Sequence, residues 1–126
     1  MPCLGELVFV LAPIAGYRKY HICLGPNEAG VYLFLYLNSE NGFSGDVVFD
    51  CARIPSIPAS ATGESVVSFS MVPRFTSAQL KLYGATSFGM LPKDVAQQLL
   101  EHCADVKTLT RSEKQFVLQA LAAIAS

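Results

Sequence analysis

Apolar residues recur with a period of two through the first two thirds of the chain and with a period near 3.6 from Leu91 onward. The pattern predicts short strands followed by helices. Glu6 to Leu11 (ELVFVL) is a β-branched and aromatic run closed by Pro13 and Gly16, which is strand punctuation. Lys19 to Leu24 (KYHICL) alternates and predicts a second strand. Gly25-Pro26-Asn27-Glu28-Ala29-Gly30 then supplies a tight reversal into Val31 to Leu37 (VYLFLYL), which is apolar on both faces. A strand apolar on both faces belongs in a closed barrel or beneath a partner subunit.

Asn38 to Asp46 (NSENGFSGD) is turn-forming throughout and leads into a fourth short strand, Val47 to Cys51. Ala52 to Glu64 combines Pro55, Pro58 and Gly63 with Ser and Ala, too small and polar for core, and predicts a long surface loop. Ser65 to Val72 is a fifth strand stopped by Pro73. A single helical turn at Ser77 to Lys81 and a sixth strand over Tyr83 to Gly89 follow. Pro92 fits the first helical position, and Val95, Ala96, Leu99, Leu100 and Cys103 then share one helix face. Thr110 and Glu113 form a capping box for a second helix with the stripe Phe116, Val117, Ala120, Leu121 and Ile124. Ala122, Ala123 and Ala125 permit close packing on the barrel or on a symmetry mate.

A chain of 126 residues holds one domain, 1–126, divided into a barrel over 5–90 and a helical part over 91–126. Charged residues make up only 15%, hydrophobic ones 52%, and the net charge is −1. A surface so poor in charge points to a homodimer. No apolar run approaches the roughly 20 residues of a membrane span, and no basic segment opens the chain, so a cytoplasmic protein is expected. Cys3, Cys23, Cys51 and Cys103 lie far apart without a C-x-x-C pair. They read as reduced thiols, with no metal and no cofactor.

Candidate chemistry narrows quickly. Ser65, Ser68 and Ser70 lack a G-x-S-x-G elbow, Asp46 and Asp50 lack a third ligand, and Gly25 to Gly30 lacks the Lys-Ser/Thr pair of a P-loop. The pI of about 6.1 gives no global attraction for polyphosphate. A local patch of Arg18, Lys19, Arg53 and Arg74 remains, with Tyr17, Tyr20, Phe43 and Phe75 able to stack bases. His21 beside that patch reads either as a proton exchanger or as a hydrogen-bonded barrel residue. His102 reads as a charge complement at a helix C-terminus.

The order of these features carries a resemblance. A first strand that opens on Gly5-Glu6 and ends in a Pro and Gly loop, a cation leading strand two, and a small polar residue closing strand three are joined by SVVSFSMVPRFTSAQL and FGMLPKDVAQQLLEHC. Together, over about Gly5 to Cys103, they resemble the MazF/PemK family of growth-inhibitor toxins in the Kid/CcdB superfamily, as a degenerate member. The resemblance implies a small SH3-like twisted barrel, mainly β, with one or two terminal helices. It also implies a homodimer, an antitoxin partner and metal-independent endoribonuclease action on single-stranded RNA. By position, the phosphate-holding cation falls on Lys19 or Arg18, the small polar residue on Asn38 or Ser39, and the arginine after strand five on Arg74. Arg53 and Tyr17 join as substrate-binding residues from the local patch, and His21 as the proton exchanger. Met71 stands where some members place an acid, Phe69 where a cation is found, and Tyr20 where Pro follows the cation. The helix from Thr110 also exceeds the family boundary. These departures define the alternative, a non-catalytic protein-binding module of the same fold with a lost active site.

Overall fold

The computed structural model describes every residue of the chain except Asn41, Phe43 and Ser44. Among the described residues, seven strands, β1 (Glu6–Ala12), β2 (Tyr17–Pro26), β3 (Tyr32–Asn38), β4 (Val47–Asp50), β5 (Glu64–Ser68), β6 (Arg74–Phe75) and β7 (Thr86–Met90), are joined by a 3-10 turn (Cys51–Arg53) and three α-helices. The helices are α1 (Ser77–Leu82), α2 (Lys93–Cys103) and α3 (Arg111–Ala125). The antiparallel order is β4-β5-β3-β2-β1-β7, with β6 added beside β3, and the sheet curls into a half-barrel. The protein is thus mainly β with C-terminal helices. Among the described residues no helix is long and apolar enough to cross a membrane.

Register explains the two cores. Leu7 pairs Ile22, Ile22 pairs Leu35, and Leu37 pairs Val67, so these side chains share one face. That face packs against Val95, Leu99 and Cys103 of α2 and Val117, Leu121 and Ile124 of α3, which form the main core with it. Val8, Val10, Cys23 and Phe34 point the other way and form a second, smaller core with Phe75 of β6 and Leu80 of α1. The doubly apolar β3 is therefore covered on both sides by its own chain. Neither barrel closure nor a partner is needed to bury it, because α1 and β6 supply the second cover.

Local chemistry sets the turns and ends. After β2 the Asn27 side chain accepts from the N–H groups of Ala29 and Val31 at 2.9 and 3.0 Å, and Gly30 takes φ +78° to complete the reversal. Both long helices form where the 3.6-residue period predicts them. The Thr110–Glu113 capping box is present, with the Thr110 hydroxyl accepting from Glu113 N–H at 3.2 Å. Pro92 serves as the N-cap of α2, with ψ at 143°, one position earlier than predicted.

Three expectations are corrected. The stretch from Ala52 to Glu64 is not simply a surface loop, since Ile54 is fully buried and Ile57 only 9% exposed, both within the main core. Two isolated isoleucines peg a polar segment, a signal diluted by its small and proline-rich neighbours. Strand five ends at Ser68, where the Ser70 N–H turns to the Ser68 hydroxyl at 3.2 Å and leaves the ladder. The strand expected over Tyr83 to Gly89 begins only at Thr86, because Tyr83 N–H still bonds Gln79 O at 2.8 Å as the cap of α1.

Ile54→Ala should cost about 2–5 kcal/mol, the range for a buried aliphatic deletion. It should appear as a lower urea midpoint at unchanged m-value, where a true surface loop would lose less than about 0.5 kcal/mol.

Candidate functional site

A cleft of about 860 Å³ opens at one end of the sheet, between the β1–β2 hairpin, the end of β3 and the segment around Ile57 and Pro58. It gathers Tyr17, Arg18, Lys19, Tyr20, Asn38 and Ser39 from the sequence candidates. His21, Arg53 and Arg74 are placed elsewhere.

Lys19 is the centre of this cleft. Lys19, paired with Val10 in the β1–β2 ladder, carries its half-buried side chain over the Tyr36 ring, Nζ to centroid 4.4 Å, with the Tyr17 ring at 5.7 Å. The cation is held by two π faces. Among the described residues no carboxylate lies within ion-pair distance of it. Burial lowers its pKa, and the charge of Asp46 acts in the opposite direction. Tyr36 is only 8% exposed, and burial raises its phenol. Across the strand, Tyr36 pairs Ser68, whose buried hydroxyl lies 2.8 Å from the Ser70 hydroxyl. That bond, with the Ser70 N–H, holds Ser70 against the cleft.

Arg18 lines the same cleft but its guanidinium is turned toward the protein. Nη1 donates to Tyr83 O at 3.1 Å, Nη2 to Gly84 O at 2.6 Å and Phe9 O at 3.3 Å, and the group lies 4.9 Å from the Phe9 ring. It closes over the C-terminal end of α1, sharing Tyr83 O with the Leu11 N–H and Gly84 O with the Thr86 hydroxyl. Gly84, at φ +67°, permits this approach, since a Cβ there would meet Arg18 Nη1 at 3.0 Å. Arg53 instead pairs with Asp94 and Gln98 of α2 at 3.2 and 3.1 Å. Arg74 reaches Glu113 of α3 at 3.6 Å. The four-cation patch expected from the sequence is therefore dispersed, with two arginines fastening the helices to the sheet.

Of the aromatics expected to stack bases, Tyr17 is 60% exposed in the cleft. Tyr20 packs on Phe9 and Phe88 at 4.5 and 5.2 Å, Phe75 is buried in the second core, and Phe43 lies outside the described residues. Ser39 anchors its main chain, with its carbonyl accepting from the Thr62 hydroxyl at 2.5 Å.

His21 is fully buried behind Tyr36. Its Nδ1–H donates to Lys19 O at 2.9 Å, an assignment fixed by the carbonyl acceptor. The rings of Phe34, Tyr36 and Phe75 surround the imidazole at 5.1 to 5.8 Å. Burial pushes its pKa down to about 4, with the hydrogen bonds to the main chain of Lys19 and Val8 acting the other way and the Lys19 charge lowering it further. It is neutral at pH 7 and does not line the cleft. His102 stands in the last turn of α2 with its ring 5.7 Å from Phe69.

The sequence reading missed Tyr36 and the Ser68–Ser70 pair. Tyr36 sits in an apolar run, and only strand register reveals that it shares a face with Lys19. No group of three His, Cys, Asp or Glu side chains able to hold a metal occurs among the described residues. The four cysteines are free, and burial raises the Cys23 thiol to about 11. Comparison with known protein families, with curated proteins and with solved structures returns no match for this chain.

Two outcomes follow from these contacts. Arg18→Ala should destabilise the fold by about 1–2 kcal/mol through the loss of charge-assisted bonds to carbonyls, read by urea unfolding. Unfolded His21 takes up its proton near pH 6.5 and folded His21 only near 4. The unfolded state therefore binds more protons between these values, and stability, complete above pH 6.5, should fall by about 3 kcal/mol on descending to pH 4. Urea midpoints measured across that window should lose most of this slope in His21→Phe.

Proposed function

We propose that the chain is a MazF/PemK-like, SH3-like barrel with terminal helices that acts as a binding module, holding a short segment of a partner protein in the cleft beside Lys19. The charge of the cleft carries this reading. Arg18 is committed to main-chain carbonyls, and Glu40 and Glu64 stand on the same lining as Lys19. A polyphosphate chain meets no net positive charge there, whereas affinity for RNA rests on several phosphate contacts. Ile14 and Tyr17, 78% and 60% exposed, together with Met71, offer apolar and aromatic anchors of the kind that dominate protein interfaces. Lys19 suits a single carboxylate on the bound segment. The free thiols support a reducing, cytoplasmic setting. The low charge content and exposed Leu82 and Met90 support a homodimer.

A second reading keeps the toxin as a metal-independent endoribonuclease on single-stranded RNA with an antitoxin partner. One arrangement favours it, since Lys19 and Glu64 line the same cleft, a cation for the phosphate and a base for the ribose 2′-hydroxyl.

Incubating the folded protein with unstructured RNA in EDTA separates the two. The binding module leaves the RNA intact. Ends carrying 2′,3′-cyclic phosphate, lost in Lys19→Ala, would establish the ribonuclease in its place. Peptides selected from a displayed library on the wild-type protein should lose about tenfold or more in affinity on Tyr17→Ala and on Lys19→Ala. Unchanged affinity in both variants would remove the cleft as the binding site.

A further inference from the structure

We propose that His21 is a positioning residue for Lys19, a buried neutral imidazole that holds the Lys19 main chain and the Tyr36 ring together and releases both in acid. The proposal rests on the reading of Lys19 as the recognition cation of the cleft. Lys19 and His21 are two residues apart on β2 and so project from the same face. Directly opposite His21 on β3 is Tyr36. His21 therefore touches the Lys19 site twice, through Nδ1–H to Lys19 O at 2.9 Å and through its ring to the Tyr36 ring at 5.1 Å. Tyr36 in turn carries the Lys19 ammonium at 4.4 Å.

Two main-chain groups, of Lys19 and Val8, favour a charged imidazole, but burial outweighs them and the cage around the ring carries no negative charge. β2 contributes Lys19 and Cys23, and β3 contributes Tyr36 and Phe34. β1 contributes Val8, paired with His21, and β6 contributes Phe75, which packs in the second core with Val10 and Leu80 and against Tyr83. The charged group nearest to it in effect is Lys19 itself, which disfavours the imidazolium, and no carboxylate acts on it. A proton on the imidazole creates a cation inside an apolar, aromatic cage and beside the Lys19 ammonium. The ring relieves this by leaving its cage, which unstacks Tyr36 and frees the Lys19 carbonyl. A histidine that only stabilised the fold would instead act on the whole molecule at once.

The wild-type protein, isotopically labelled and titrated from pH 7 to pH 4 by NMR without any ligand, distinguishes these cases. The Lys19 Cε and Tyr36 ring signals should shift in step with the His21 ring, while the amides of Val117 and Leu121 in the main core stay unchanged. His21→Asn retains an N–H donor and does not titrate in this range, so its Lys19 and Tyr36 signals should stay constant. His21→Phe fills the cage without a donor and should show a displaced Lys19 signal already at pH 7. The proposal is overturned if Lys19 and Tyr36 remain unchanged until the core amides collapse, or if they shift equally in His21→Asn. Should either variant fail to fold, the wild-type comparison between cleft and core signals decides alone. Because no ligand is involved, the result is independent of whether the cleft binds a protein segment, and failure of that reading would show in the peptide affinities instead.

Discussion

The constraint on which the structure depends is that β3 must be buried on both faces by a chain of modest length. Leu33, Leu35 and Leu37 face one way and Phe34 and Tyr36 the other, and all five are buried. Each face needs its own cover, since an apolar side chain left in water forgoes roughly 1.5–3 kcal/mol. Two full helices, α2 and α3, take the first face. The second is left to β6, of two residues, and α1, of six. This smaller cover reaches Phe34 and stops at Tyr36, and the cleft begins there, where Lys19, Asn38 and Ser70 take over the same side of the sheet. The site is a consequence of unequal cover over one strand.

Scarcity of charge shapes the rest. In a chain with so few ionic groups, the arginines that stand near the sheet edges are used as fasteners. Arg18 ties the β1–β2 hairpin to the end of α1, Arg53 ties the segment after β4 to α2, and Arg74 ties β6 to α3. Lys114 adds a bond from α3 to Val106 O at 3.0 Å. Exposed ion pairs contribute little singly, and the guanidinium–carbonyl bonds of Arg18 are the better defined of these contacts. Lys19, by contrast, meets aromatic faces, which leave its hydrogen-bond donors available. A positional transfer of roles from a resembling family treats all these cations alike, whereas their surroundings divide them.

Desolvation links the core to the cleft. The same burial that keeps His21 neutral lowers the Lys19 pKa and raises that of Tyr36. The three groups lie in contact across β2 and β3, so the edge of the second core and the wall of the cleft share one layer of side chains. A change of charge at one of them is therefore felt by the others.

The amino-acid sequence by itself determined the strand-then-helix order, both long helices with the Thr110–Glu113 cap, and the β2–β3 reversal. These are properties of spacing and turn chemistry between near neighbours, which a linear pattern records. Only the tertiary structure decided that β3 is covered on both sides by its own chain, that Ile54 and Ile57 belong to the core, that Arg18 is a strap, and that Tyr36 and Ser70 stand with Lys19. Each of those facts depends on strand register or on a contact between residues far apart in sequence. A one-residue change of register would exchange the two faces of the sheet, placing Tyr36 in the main core and leaving Lys19 without its aromatic frame.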